Sequence, residues 1–130
     1  MNNTALFEAF ENGVLRVPNM TKPFADIPWT DHPAYGGVQL KHLITSKDTD
    51  GKFSYHLIRI APKMSINGHM HQTQLETHEV ISGTGVCVNN GQELAYETGV
   101  MTIFQPQTLH SVTAGDDGLQ IFAKFMPPLV

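Results

Sequence analysis

Gly68-His69-Met70-His71-Gln72-Thr73-Gln74-Leu75-Glu76-Thr77-His78-Glu79-Val80-Ile81-Ser82-Gly83-Thr84-Gly85 is the stretch from which the rest of the chain can be read. His69 and His71 stand two residues apart, a spacing that puts both imidazoles on one face of an extended strand. Glu76 follows after four intervening residues and Gly83 after six more. Two imidazoles and a carboxylate are donors that first-row transition metals accept. His78, two residues beyond Glu76, shares its strand face. It has two readings: a buried histidine bonded to a neighbouring strand, or a side chain facing a ligand in a shared cavity.

Outward from this stretch the pattern alternates with period two. In 38–44, Val38, Leu40, His42 and Ile44 share one face. In 53–60, Ser54, His56, Ile58 and Ile60 point inward if Arg59 faces solvent. Asp50-Gly51 and Asn67-Gly68 read as turns, the second leading into the histidine strand. Downstream, short strands are expected at 75–82, 86–88, 93–96, 101–104, 111–113 and 119–125, with 115–118 joining the last two. Near the N-terminus, 3–12 suits one or two helical turns, with Thr4 as N-cap and Gly13 as stop. Pro18, Pro23, Pro28 and Pro33 then block both helix interior and central strand, so 14–37 is expected as an extended arm with an edge strand or two. Its Phe24, Ile27, Trp29 and Tyr35 need burial, either on the chain's own barrel or on a partner subunit, and a homodimer is the expected partner state. About nine or ten short strands with turns every 8 to 12 residues suit an all-β, double-sheet jelly roll or small barrel. The expected organisation is a single domain, with an N-terminal arm at 1–36 and the barrel at 37–130.

The spacing His69-x-His71-x4-Glu76-x6-Gly83 resembles the first motif of the cupin superfamily. Lys63 stands where that motif places its opening glycine. Gly99 to His110 keeps the eleven-position glycine-to-histidine distance of the second motif. Within it, Gln105 and Gln107 replace the proline and second glycine, Pro106 lies one place late, and Ala114 replaces the closing asparagine. The resemblance covers 63–115 closely and the flanking strands loosely. It implies a double-stranded β-helix, the cupin barrel, with His69, His71, Glu76 and His110 as ligands of one divalent transition metal: iron, manganese, nickel or zinc. It also implies a metal-dependent enzyme of dioxygenase, isomerase, decarboxylase or lyase type, acting on a small oxygen-rich substrate held at the metal. The alternative is a non-catalytic small-molecule binding or sensor module with a structural or effector-holding metal. His56 and His78, both expected on inward faces, are the candidate substrate-binding residues.

Composition narrows the remaining classes. The chain has 130 residues, of which 41% are hydrophobic, enough for one core. Net charge is 8 − 12 = −4 with histidines neutral, and no basic run exists, so nucleic acid is not an expected partner. No apolar run approaches the roughly 18 residues of a membrane span, and the N-terminus lacks a signal-peptide layout. A cytoplasmic protein without membrane partners is therefore expected. The single cysteine, Cys87, excludes an internal disulfide and reads as a small buried hydrophobe. Met64, Met70, Met101 and Met126 read as core filler, and His32 as exposed.

Overall fold

The computed structural model describes residues 4–130. Helix α1 (Thr4–Glu11) begins with Thr4 already helical and ends before Gly13, whose N–H bonds to the Phe10 carbonyl. Strands β1 (Val14–Val17) and β2 (Met20–Pro23) pair as a hairpin of their own, turned at Asn19, where φ is 68°. A 3-10 turn at Phe24–Asp26 leads to the short β3 (Thr30–Asp31), which pairs with β4 (Val38–Ile44). One helical turn, α2 (Ser46–Thr49), carries a Thr45/Asp48 capping box and ends at Asp50 in the left-handed conformation. Strands β5 (Ser54–Ile60), β6 (Ser65–His69), β7 (Leu75–Asn89), β8 (Gln92–Glu97), β9 (Met101–Phe104) and β10 (His110–Met126) complete the chain. No described helix is long and apolar enough to cross a membrane.

All strand pairs are antiparallel, and the main sheet runs β3-β4-β5-β10-β7-β8, with β6 beside β10 and β9 beside β7. Strands β7 and β10 are 15 and 17 residues long where the sequence suggests two shorter strands in each. Both bend together, because Gly83 to Gly85 faces the longer segment Ala114 to Leu119 across an irregular register. The bend lets the two strands serve both layers. Their one half lies between β5 and β9, and the other between β6 and β8. Gly83 permits this with φ of +85°, and a Cβ there would run into the Gly118 carbonyl oxygen. The result is the all-β jelly roll expected from the turn spacing.

Two apolar clusters hold it together. The inner one gathers Val38, Leu40, Ile58, Ile60, Leu119 and Ile121 with neighbours from both layers. The outer one sets Phe7 of α1 and Phe24 of the arm against Leu43, Leu57 and Ile81. A fully buried Leu such as Leu57 contributes about 1.5–3 kcal/mol relative to an exposed one. Trp29 locks the arm down: its Nε1–H donates to Glu11 Oε2 at 2.8 Å, and the Arg59 guanidinium lies 4.0 Å from its ring centroid. The apolar arm side chains that prompted the expectation of a homodimer pack on the chain's own barrel, where Phe24 is buried and Ile27, Trp29 and Tyr35 are half-buried.

Local departures from the expected pattern have backbone causes. A bulge after His42 pairs Ile44 with Tyr55, so Ile44 joins Leu43 at the outer cluster instead of following Leu40 inward. Asn67-Gly68 forms no turn; it lies within β6, where three steps along that strand match two along β10. Met64, Met70 and Met101 are exposed, with Met101 at 69%. Cys87 is fully buried, as its apolar neighbours suggest.

Candidate metal centre

Four chain segments meet at the histidine cluster. His69 ends β6, His71 lies just past it, Glu76 is the second residue of β7, and His110 begins β10 opposite His69. Each side chain offers one donor atom, and the four atoms all lie within 4.8 Å of one another. Two donors about 2.1 Å from a shared ion can be at most about 4.2 Å apart, so the set needs to contract only slightly to surround one. The second motif reaches the first through its backbone, since the Gln107 N–H donates to the His71 carbonyl at 2.7 Å. Gln107 has φ of 65°, and so does the backbone need at Lys63, where φ is 64°. The two positions that lack the resemblance's glycines therefore keep a left-handed conformation, at a strain of about 1–2 kcal/mol for a residue with a Cβ.

The hydrogen bonds fix which nitrogens face inward. His69 Nδ1 lies 2.9 Å from the Asn67 carbonyl and His110 Nδ1 lies 3.0 Å from the Thr108 carbonyl. A carbonyl only accepts, so both Nδ1 atoms carry the proton and Nε2 is left with its lone pair in the neutral ring. Glu76 Oε1 lies 3.3 Å from His71 Nε2 and 3.2 Å from His110 Nε2. Neither approach has hydrogen-bond geometry, and these three buried atoms have no hydrogen-bond partner. Buried polar atoms are ordinarily satisfied, and leaving one unmade costs about 1–3 kcal/mol. Three such atoms, turned on one another with no partner, describe a place for a cation. The donor set of imidazoles and one carboxylate suits a divalent transition metal.

The surroundings hold these rings in place. Phe104 stacks on His110 at 4.0 Å between ring centroids, and Phe125 meets His71 edge-on at 5.3 Å. His78 is buried; its Nε2 donates to Glu76 Oε2 at 2.8 Å, and its Nδ1 lies 2.9 Å from the Tyr96 hydroxyl. Burial by itself pushes the Glu76 carboxyl up, but the effects that outweigh it, led by the His78 imidazole that donates to it, hold that carboxyl well below the usual range. Burial lowers the pKa of His69.

A cavity of about 250 Å³ opens onto the cluster, and His69, His71, Glu76, His78 and His110 all line it. His56 does not line it. Its Nε2 bonds to Ser54 Oγ at 2.7 Å and its Nδ1 to His42 Nδ1 at 2.8 Å, within the barrel wall. His32, expected to be exposed, is half-buried at the cavity and stacks on Tyr35 at 4.6 Å. No periodic pattern marks that arm segment in the sequence. Tyr96 was equally silent, because its role depends on the β7–β8 register that sets it opposite Gly85.

A jelly-roll barrel that gathers three histidines and a glutamate around orphaned donor atoms defines a small protein with a possible metal site. The chain belongs to the cupin domain family, whose profile matches residues 56–122, just over half of its length. It is similar in structure to KdgF from Halomonas sp., with 16% identity over 79% of this chain and 88% of that one and a TM-score of 0.70. A predicted oxalate decarboxylase from Thermotoga maritima shows 20% identity over 79% of this chain and 95% of that one, with a TM-score of 0.72. Ectoine synthase from P. lautus shows 20% identity over 78% and 70%, with a TM-score of 0.68. At these identities the likeness concerns the fold. No curated protein matches the chain in sequence.

Proposed function

We propose that this cupin is a metal-dependent enzyme in which His69, His71, Glu76 and His110 hold one divalent ion of iron, manganese, nickel or zinc. The observation that carries this reading is the set of unpartnered buried atoms His71 Nε2, Glu76 Oε1 and His110 Nε2. The reaction is of dioxygenase, isomerase, decarboxylase or lyase type, on a small substrate that binds through oxygen. The metal would supply Lewis-acid polarisation of that substrate and, for a redox-active ion, electron transfer. The protein's own part is positional. The Asn67 and Thr108 carbonyls fix the tautomers of His69 and His110. His78 holds Oε2 of Glu76, so that Oε1 is the oxygen turned toward His71 and His110. His78 also lines the cavity, where it is a candidate contact for bound substrate. Two of the structural neighbours bear enzyme names, a decarboxylase and a synthase, which supports catalysis over simple binding.

Elemental analysis of protein purified without an affinity tag tests the site. One divalent ion per chain is expected, either as purified or after reconstitution. Failure to retain any divalent metal overturns the reading. Stoichiometric metal with no turnover of any oxygen-bearing substrate pool, aerobic or anaerobic, leaves the metal site standing and replaces the enzyme with a binding module.

A further inference from the structure

Beyond the donor cluster, the cavity wall is hydrocarbon: Val38, Leu40, Ile58, Ile66, Val112 and Phe125. Leu129 closes one side and is 36% exposed, which places it toward the opening. Among the described residues, no lysine or arginine lines the space. Lys41 of β4 and Arg59 of β5 lie instead over the Trp29 ring, within 5.8 and 4.0 Å of its centroid. The polar groups outside the four donors are His32, Tyr35 and His78, and both nitrogens of His78 are already bonded, to Glu76 and Tyr96. His32 Nδ1 accepts the Ala34 N–H at 3.0 Å, which leaves Nε2–H as a neutral donor, and burial lowers its pKa.

Charge then limits what fits. A divalent ion with one carboxylate and neutral imidazoles leaves a net charge near +1. A monoanionic ligand cancels it. A dianion leaves an uncompensated negative charge among apolar walls, which disfavours it. Size limits it further. A volume of about 250 Å³ equals the liquid volume of roughly eight waters at about 30 Å³ each.

We propose that the site selects a compact monoanionic oxygen chelator with an apolar body, such as an enolised diketone or a ring bearing adjacent oxygens. It discriminates against dicarboxylates, phosphate esters and polyhydroxylated acids. The inference rests on the metal proposed above. It narrows the oxygen-rich substrate expected from the sequence, because the oxygens belong at the metal end while the body meets hydrocarbon.

Cobalt(II)-loaded protein titrated with tropolone and with oxalate tests it. Both probes chelate through two oxygens, and at mildly alkaline pH the first is a monoanion and the second a dianion. Binding is followed in the visible absorption of the protein-bound cobalt, and metal retention is checked by elemental analysis after desalting. Each affinity is divided by that of the probe for free cobalt in water. On this scale tropolone is expected to bind at least about tenfold more tightly than oxalate, equivalent to about 1.4 kcal/mol. Leu129→Arg, at a half-exposed wall position whose backbone N–H bond to Ser54 is retained, is expected to close or reverse that gap. Equal or tighter oxalate binding by the unmodified protein overturns the selectivity while leaving the metal site intact. Failure to bind cobalt at all removes both.

Discussion

Two groups of histidines sit inside this barrel, and they differ in what their nitrogens touch. In the wall group, His56 bonds through Nδ1 to His42 and through Nε2 to Ser54, whose Oγ also accepts the Leu129 N–H at 2.8 Å. In the cavity group, His71 Nε2, His110 Nε2 and Glu76 Oε1 are equally buried and have no partner. The wall group is complete within the chain and stabilises it. The cavity group is incomplete and stabilises only what comes to fill it. Burial alone does not distinguish them, since His56 is 0% exposed and His110 is 3% exposed. The bonding inventory does.

The largest expected difference is in metal content. His71→Ala removes one of four donors, and occupancy in elemental analysis is expected to fall by more than about tenfold. In metal-free protein the same change deletes an unsatisfied buried nitrogen, so chemical denaturation should show a loss below about 1 kcal/mol or a slight gain. Full metal content in this variant would break the comparison, because it would make the cavity group as closed as the wall group.

His56→Ala inverts that pattern. It leaves a cavity, removes the partner of His42 Nδ1, and leaves Ser54 with only its bond from the Leu129 N–H. The expected loss is about 2–4 kcal/mol in denaturant unfolding, with metal stoichiometry unchanged. The wall group also predicts a pH dependence. Burial, then the nearby His42, lower the pKa of His56 from 6.5 to about 3. Between those values the unfolded chain binds the proton and the folded chain does not, so stability rises with pH. The contribution is fully present above about pH 6.5 and is lost as pH falls toward about 3. In chelator-treated protein, the stability gap between the parent and His56→Leu should therefore narrow on acidification through this window. His32 and His69, also lowered by burial and not bonded to His56, titrate in both proteins and cancel from the difference, whereas His42 is bonded to His56 and shares the linkage with it. A gap that stays constant with pH would show that His56 does not carry the linkage.

The contrast between the two groups was only partly visible in the sequence. The all-β architecture followed from alternation and turn spacing, and the convergence of His69, His71, Glu76 and His110 agrees with the motif spacing. Periodicity placed both His56 and His78 inward, but it cannot say whether an inward side chain meets a cavity or a neighbouring strand. That depends on cross-strand register: His42 pairs with His56, and His78 with Thr102 and Ala123. Bulges were also hidden. Leu43 looks like one residue of a regular strand, yet the extra step there turns Ile44 outward. Asn67-Gly68 carries the composition of a tight turn and was spent as an irregularity within β6. Conversely, Lys63 and Gln107 looked like breaks in the motifs. Their positive φ shows that the backbone shape outlasts the glycine that usually makes it easy.

His78 sharpens the comparison because it belongs to both groups in kind. Both its nitrogens are satisfied, as in the wall, yet one of its partners is a cavity donor. The carboxylate only accepts, so Nε2–H donates to Glu76 Oε2, and in the neutral ring Nδ1 accepts from the Tyr96 hydroxyl. Tyr96 lies on β8 opposite Gly85 of β7, so the contact is anchored on both strands. This places His78 as the group that orients Glu76. Residues in that position typically change metal affinity by 10- to 100-fold. His78→Gln retains a donor near Glu76 but loses the rigid reach to Tyr96, so the low end applies. A weakening of about tenfold, or about 1.4 kcal/mol, is expected in a competitive chelator titration, with stoichiometry at saturation unchanged. Loss of stoichiometric binding would make His78 itself a ligand. Unchanged affinity would return it to the wall group, as a buried histidine whose bond to Glu76 does nothing for the metal.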